Sequence, residues 1–75
     1  MTTTTLDHIR AAVVMCAGAD PDAITPEARL DALDVDSLTL AEVVWSLEDR
    51  IGKTFEFKTR PDTVADLINL IESTP

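Results

Sequence analysis

The sequence predicts a small all-α protein, an up-and-down bundle of three main helices with a long loop between the first two. Three segments carry apolar residues at the spacing of three or four that is typical of an amphipathic helix. Threonine or aspartate stands at the start of each segment, and glycine follows the first two. The run of alternating polar and apolar residues at 53–58 has no second strand with which to pair. These observations together favour helices over a sheet.

The length of the chain limits how the fold can be stabilised. The chain has 75 residues. That is about the smallest length at which one hydrophobic core suffices without cross-links. We therefore expect a single domain over residues 1–75. Cys16 has no second cysteine to pair with, and one cysteine with one histidine cannot supply the ligands of a zinc site. With no metal site or disulfide expected, packing alone must stabilise the fold.

The charge of the chain is strongly acidic. Fourteen Asp and Glu residues against six Lys and Arg residues give a net charge of -8, which repels nucleic acid and anionic lipid. Partner proteins with basic surfaces are favoured instead. The sequence contains neither an apolar run of roughly 20 residues, as a membrane span needs, nor a signal peptide at its N-terminus. We expect a cytoplasmic protein that is a monomer, because its charge opposes self-association.

The first helix is predicted to begin after Thr4 and to end at Gly18. Thr4 and Asp7 have the spacing of a capping box, and Gly18 is typical of a helix stop. Residues 1–4 are expected to be disordered. The apolar face consists of Leu6, Ile9, Val13 and either Cys16 or Ala17.

A long loop is predicted over residues 19–35. It contains two prolines and five acidic residues and shows no steady apolar period. We expect Ile24, Leu30 and Leu33 to anchor it in the core. Loops longer than about 12–15 residues are uncommon in compact domains. Both a functional role and a simple span between distant helix ends remain open.

The second helix is predicted from Asp36, at or near its cap, to Ile51, and Gly52 ends it. At about 100° per residue the helix separates two faces. The predicted core face consists of Leu40, Val43, Val44, Leu47 and Ile51. The opposite face, both acidic and apolar, consists of Leu38, Glu42, Trp45 and Asp49. We expect Trp45 to be at least partly exposed, although packing of Leu38 and Trp45 under a loop is the alternative.

The last third of the chain is predicted to hold one helix. Residues 53–58 should form an extended loop that places Phe55 and Phe57 in the core. Pro61 leaves room for only one short extra turn around residues 60–62. The last helix should start near Thr63, where Thr63 and Asp66 form a second capping box. Its buried face consists of Val64, Leu67, Ile68 and Ile71.

Ser37, at the entrance of the second helix, lacks the partners of a catalytic serine. A serine nucleophile needs a base within reach, and the only histidine, His8, belongs to a different helix. A calcium loop that began at Asp31 would place Leu33 and Val35 where oxygen ligands belong. The chain also lacks a glycine-rich phosphate loop. We therefore expect a protein that is not an enzyme.

The segment 33–38 resembles the Asp-Ser-Leu motif that opens the second helix in the acyl carrier protein family. The likeness covers nearly the whole chain, because about half of it precedes the serine and Thr-Val opens the last helix. It implies that a phosphopantetheinyl transferase attaches a phosphopantetheine arm from coenzyme A to Ser37. The thiol of the arm would hold acyl intermediates as thioesters for fatty acid or polyketide biosynthesis. Asp36 would help the transferase to recognise the site.

The resemblance also implies two further surfaces. One is a cavity for the acyl chain beside the core side of the second helix, although ordinary core packing is an equal alternative. Its candidate walls are Leu40, Val44, Leu47, Phe55 and Ile68. The other is a recognition surface for an acyltransferase, a ketosynthase or similar enzymes with basic docking surfaces. Its candidate residues are Leu38, Glu42, Trp45, Glu48 and Asp49.

Two departures from the family pattern are visible. Asp34 stands where the family usually has glycine, which adds charge and stiffness beside the attachment site. The region between Gly52 and Thr63 is short, which puts a regular third helix in doubt. A peptidyl or aminoacyl carrier on the same fold remains an alternative, although its serine more often follows Gly-Gly-His. An acidic helical interaction module that is never modified is a second alternative.

Overall fold

The residues that the structure describes form three α-helices, and the predicted all-α class is confirmed. The computed structural model describes residues 4–55 and 60–73. The helices are α1 (Thr5–Ala17), α2 (Ser37–Ile51) and α3 (Val64–Ser73). Helix α1 packs against both α2 and α3. Within the described ranges there is no strand, and each helix is too short or too polar to cross a membrane.

Both predicted capping boxes are present. The Thr4 hydroxyl accepts the Asp7 N–H at 3.2 Å, and the Asp7 carboxylate accepts the Thr4 N–H at 3.2 Å. Thr63 and Asp66 repeat this exchange at the start of α3, at 3.2 and 3.1 Å. The reciprocal bonds satisfy N–H groups that have no partner inside the helix. Thr4 takes part in the first of these boxes, residues 1–3 lie outside the described residues, and the expected disorder of residues 1–4 stays a prediction.

The core faces predicted for α2 and α3 are confirmed; on α1, Ile9 and Val13 are buried as predicted, whereas Leu6, Cys16 and Ala17 are half-buried at the edge of the core. The buried helical side chains are Ile9, Ala12 and Val13 on α1, Leu40, Val43, Val44 and Leu47 on α2, and Val64, Leu67 and Ile71 on α3. Ile51 and Ile68 are half-buried and pack against the edge of this core. Phe55 is buried after α2, as predicted. Phe57 lies outside the described residues.

The loop between α1 and α2 is anchored in the core. Ile24, Leu30 and Leu33 are buried, as predicted, and Val35 is buried with them. The Arg10 guanidinium, on α1, donates to the backbone carbonyls of Pro21 and Ile24 at 3.2 Å each. Apolar burial and these bonds together fix the course of the loop across the bundle.

The same loop also caps the start of α3. The carbonyl of Ala28 accepts the N–H of Val64 at 3.0 Å, and the carbonyl of Pro26 accepts that of Ala65 at 2.9 Å. These are N–H groups of the first turn of α3, which lack intrahelical acceptors. Just before α3, the carbonyl of Asp62 accepts the N–H of Leu30 at 2.9 Å, so residue 62 is also held against the loop. The loop therefore has a structural role beyond spanning two helix ends.

The extra helical turns lie elsewhere than predicted. Two short 3-10 turns, Pro21–Ala23 and Asp31–Leu33, belong to the first loop. Residues 60–62, where one extra turn was considered, are not helical. Their backbone lies against the first loop instead, because the Asp62 carbonyl is bonded to Leu30. The expected position of the extra turn was therefore wrong.

The Asp66 cap should make stability depend on pH. Asp66 accepts the N–H groups of Asp62 at 2.9 Å and Thr63 at 3.1 Å, and these bonds lower the pKa of its carboxyl. A carboxyl whose pKa falls on folding contributes stability above its unfolded pKa, and loses it as the pH falls through the folded pKa. We expect Asp66→Ala to lower the free energy of unfolding at pH 7 by about 1 kcal/mol.

Urea unfolding at neutral pH and at about pH 3 measures this effect, and the difference from the parent should shrink at the lower pH. Asp49→Ala is a suitable control, because Asp49 is exposed on α2 and the described hydrogen bonds do not include its side chain. Equal losses in the two variants at pH 7 would show that the Asp66 bonds do not stabilise α3.

Candidate functional site

Ser37 is the first residue of α2, and its side chain is exposed. The preceding residue, Asp36, caps the helix: its carboxylate accepts the N–H of Thr39 at 2.8 Å. The backbone carbonyl of Asp36 accepts the N–H of Leu40 at 2.7 Å and so begins the helical pattern. The predicted cap is confirmed. Asp36 fixes the residue at which α2 begins and thereby places the Ser37 hydroxyl at the rim of the helix.

The start of α2 suits an anionic group bonded to Ser37. The first N–H groups of a helix point outward without intrahelical acceptors, and the helix dipole is positive at this end. Both features favour a phosphate placed there. The exposed Ser37 hydroxyl is accessible for modification without any change in the core. The residues present therefore fit a cofactor linked through a phosphodiester.

Asp36 is a fixed negative charge beside Ser37. Its pKa is lowered chiefly by the hydrogen bonds with Thr39, and to a smaller extent by the N–H of Leu38 and the charge of Arg60. The carboxylate is therefore ionised at neutral pH. The carboxylate already caps α2 through its bond with Thr39. This structural role does not depend on whether Asp36 also helps a transferase to recognise Ser37.

A surface cleft of about 390 Å³ is formed by residues that precede Ser37 in the chain, together with Arg60. It is lined by Asp31, Asp34, Val35, Asp36 and Arg60. Three carboxylates thus share the cleft with one guanidinium, but within the described part of the chain they do not gather as a metal-binding group. Asp31 is paired with Arg29, outside the cleft, at 3.2 Å. Arg60 was not predicted to lie here; it is brought to the cleft by the contact of residues 62–65 with the first loop.

His8 lies at a different place from Ser37. It is half-buried, and it lines a cleft of about 420 Å³ with Arg50 and Lys53, near the C-terminal end of α2. Ser37 stands at the other end of that helix. This placement agrees with the prediction that Ser37 is not the nucleophile of a hydrolase.

The face of α2 opposite the core is exposed. Trp45 is 75% exposed and Leu38 is 72% exposed, which confirms the predicted exposure of Trp45. Glu42 and Asp49 are exposed beside them. We refer to these four residues as the α2 outer face. Large apolar side chains next to carboxylates on one accessible surface are suited to contact with a basic protein.

Comparison with known proteins identifies the family. Residues 7–71 match the family described as "Phosphopantetheine attachment site". A curated "Acyl carrier protein" of Streptococcus pneumoniae serotype 4 (strain ATCC BAA-334 / TIGR4) is 32% identical over 66 residues, which cover 88% of this chain and 89% of the relative. The "Acyl carrier protein" of Streptococcus pneumoniae strain ATCC BAA-255 / R6 matches to the same extent. This chain belongs to the acyl carrier protein family.

Membership of the acyl carrier protein family specifies the cofactor. The cofactor is a covalently attached phosphopantetheine, in agreement with the sequence prediction. When bound, it supplies a thiol at the end of a long arm. The matched segment contains Ser37 and the whole of α2, so the exposed hydroxyl at the helix start lies inside the family region.

The departure at Asp34 from the usual acyl carrier protein glycine has a structural consequence. Asp34 has φ 61° and ψ 29°, in the left-handed region, and among the described residues it alone combines a side chain with positive φ. A residue with a Cβ pays about 1–2 kcal/mol in this region, although aspartate visits it more readily than most. Glycine would adopt the same conformation without strain. The turn before Ser37 therefore holds both strain and an additional charge.

We expect Asp34→Gly to be more stable than Asp34→Ala by about 1 kcal/mol. Both variants remove the same carboxylate, so their difference reports the backbone preferences of glycine and alanine and not the charge. Urea unfolding of the two variants and the parent measures it. Equal stability of the glycine and alanine variants would mean that the backbone at position 34 relaxes out of the left-handed region.

Glu48 has an intramolecular partner that the sequence pattern did not indicate. Gly52 ends α2 with φ 80°, and the chain then turns back toward the helix. The N–H of Phe55 donates to the Glu48 carboxylate at 2.8 Å. Glu48 is half-buried and holds the segment that brings Phe55 into the core. A role for Glu48 in partner recognition stays a prediction.

The five residues predicted to line an acyl cavity belong to one packed core. Leu40, Val44, Leu47 and Phe55 are buried, and Ile68 is half-buried against them. The surface clefts described above are lined by other residues. Core packing explains the burial of these side chains without a ligand, so the cavity also stays a prediction.

Proposed function

We propose that this protein carries acyl groups as thioesters on a phosphopantetheine arm attached to Ser37, and that it is not itself an enzyme. The observation that supports the proposal most directly is the exposed hydroxyl at the first position of α2, within the family region. Intact mass after incubation with coenzyme A and a broad-specificity transferase tests it. We expect the mass of exactly one phosphopantetheine to be added.

The attachment reaction divides the chemistry between the chain and the transferase. The Ser37 oxygen forms a bond to the phosphorus next to the pantetheine of coenzyme A. The bond from that phosphorus to the adenosine bisphosphate breaks, and the hydroxyl proton leaves. His8 lies at the other end of α2, so we expect the transferase to supply the base. The chain presents the hydroxyl, and its helix start favours the charge of the product.

We infer that the biosynthetic role is in fatty acid or polyketide synthesis. The curated relatives carry the name "Acyl carrier protein", which favours an acyl over a peptidyl or aminoacyl group. The proposed partners are the transferase and an acyltransferase, ketosynthase or similar enzyme with a basic docking surface. Glu42 and Asp49 of the α2 outer face would steer such a partner, and Leu38 and Trp45 would supply apolar contact after encounter.

Trp45→Ala should separate docking from folding. Trp45 is 75% exposed, so we expect the free energy of unfolding to stay within about 1 kcal/mol of the parent. Transfer to or from a partner enzyme should weaken, with kcat/KM lower by about tenfold, because an interfacial tryptophan typically contributes more than about 1 kcal/mol to binding. Urea unfolding and steady-state transfer kinetics measure the two effects.

Met15→Ala is the matched control for Trp45→Ala. Met15 is 68% exposed but lies on α1 and is not part of the α2 outer face. Its replacement should leave transfer unchanged. A stability loss of about 3 kcal/mol or more for Trp45→Ala would place Trp45 in the core. An equal loss of transfer in both variants would contradict the proposed docking face.

A further inference from the structure

Arg60 is an unpaired cation in an acidic part of the surface. It is exposed and lines the cleft before Ser37 together with Asp31, Asp34 and Asp36. Over residues 4–55 and 60–73, the structure gives Arg60 neither a hydrogen bond nor an ion pair. Asp31 is instead paired with Arg29 at 3.2 Å, and Asp36 is bonded to the Thr39 N–H at 2.8 Å. The guanidinium thus keeps its donors available although three carboxylates line the same cleft.

Attachment of the arm would increase the electrostatic repulsion among negative charges at this cleft. The phosphodiester on Ser37 adds a negative charge directly beside Asp36 and near Asp34. The phosphodiester and these carboxylates repel one another, and the dipole of α2 compensates for only about half a charge. Among the described residues that line the cleft, Arg60 carries the only positive charge. Arg60 lines this cleft together with Asp36, the residue next to Ser37, and its charge makes a small contribution to the lowered pKa of Asp36.

The chemistry of Arg60 matches the group that would arrive. A guanidinium is planar, always charged and presents five N–H donors that can bond two phosphate oxygens at once. Such bidentate pairs are stronger and more directional than contacts of a neutral donor. A lysine at this position would supply charge without the fork geometry. The cleft therefore holds, beside the cap residue Asp36, a side chain whose chemistry suits a phosphate and which has no hydrogen-bond or ion-pair partner among the described residues.

We propose that Arg60 binds the phosphodiester of the arm attached to Ser37 and holds the first part of the arm against the cleft. The inference rests on the proposed function, since it needs the arm at Ser37. Arg60 acts as a positioning residue: it orients the fixed end of the arm, while the thiol end stays free to reach a partner enzyme.

The test compares the parent with three variants, each in the unmodified and the phosphopantetheine-bearing form. Arg60→Gln removes the charge, Arg60→Lys keeps the charge without the fork, and Arg50→Gln is the matched control. Arg50 is exposed near the C-terminal end of α2, so its replacement changes the net charge equally, far from Ser37. The readouts are the melting temperature of both forms and the phosphorus NMR shift of the modified form.

We expect attachment of the arm to lower the melting temperature of Arg60→Gln by about 3 °C or more beyond its effect on the parent and on Arg50→Gln. The phosphorus resonance should move in Arg60→Gln, stay at its parent position in Arg50→Gln and lie between them in Arg60→Lys. A purely structural role would shift the modified and unmodified forms of Arg60→Gln equally and leave the phosphorus resonance in place.

Two failures can be told apart. If the parent takes up the arm but Arg60→Gln and Arg50→Gln respond alike, the assignment of Arg60 is overturned and the proposed function stands. If the parent takes up no arm, the proposed function fails and the Arg60 site fails with it. Because Arg60 is exposed and makes no described hydrogen bond, we expect its variants to fold. If Arg60→Gln nevertheless fails to fold, the phosphorus resonance is measured in Arg60→Lys instead.

Discussion

Ser37→Ala is expected to abolish attachment of phosphopantetheine completely. The hydroxyl of Ser37 is the bond-forming atom, and alanine offers none. The other described serines are poorly placed: Ser46 is half-buried in the middle of α2, and the Ser73 hydroxyl donates to the Leu70 carbonyl at 3.1 Å at the end of α3. Intact mass after incubation with coenzyme A and a transferase should show only the unmodified chain.

Ser46→Ala is the control for this experiment and should be modified as fully as the parent. Ser37→Ala should remain folded, because the cap of α2 is supplied by the Asp36 carboxylate and not by Ser37. Circular dichroism of the variant checks this directly. Modification that persists in folded Ser37→Ala would move the attachment site to another residue. Loss of modification in Ser46→Ala would show that the assay responds to helix α2 as a whole.

Ile24→Ala is expected to cost about 2–5 kcal/mol of the free energy of unfolding, the range for emptying a buried aliphatic site. Ile24 belongs to a loop, where substitutions are usually tolerated, yet its side chain is 0% exposed. Its carbonyl also accepts a hydrogen bond from Arg10. The loop therefore contributes to the core as a helix would, and its anchor cannot be shortened without leaving a cavity.

Leu38→Ala is the control for Ile24→Ala, because it removes an aliphatic side chain that is 72% exposed. We expect a change of about 0.5 kcal/mol or less from it, as for other surface substitutions. Urea unfolding with an unchanged slope measures both variants. If Ile24→Ala proved as mild as Leu38→Ala, the loop would be able to collapse onto the vacated site, and its predicted anchoring role would be minor.

The features that could be predicted from the sequence are local ones. Each capping box joins residues three apart, so Thr4 with Asp7 and Thr63 with Asp66 are visible in the chain itself. The buried and exposed faces of α2 follow from helical spacing, which is why the exposure of Trp45 was predicted correctly. The position of Ser37 at the helix start follows in the same way, since Asp36 is a strong N-terminal cap.

The features that could not be predicted depend on contacts between distant segments. Arg60 belongs to no motif and reaches the cleft only because residues 62–65 lie against the first loop. The bond from Phe55 to Glu48 depends on how the chain turns after Gly52. The left-handed conformation of Asp34 was not predicted either, although the glycine usual at that position was a signal that could have indicated it.

The hydrogen bonds from the first loop to α3 make these two elements one cooperative unit of opening. An isolated helix shorter than about 12–15 residues is marginal in water, and α3, Val64–Ser73, falls below that length. Its first turn is completed by carbonyls of Pro26 and Ala28, which lie far away in the sequence. When the loop detaches, the first turn of α3 loses these acceptors and frays. Residues 60–62, which include Arg60 and lie against the loop, are released at the same time. Hydrogen exchange at the amides of Val64 and Ala65 should therefore give the same free energy of opening as at the amides of the loop, through a single sub-global opening.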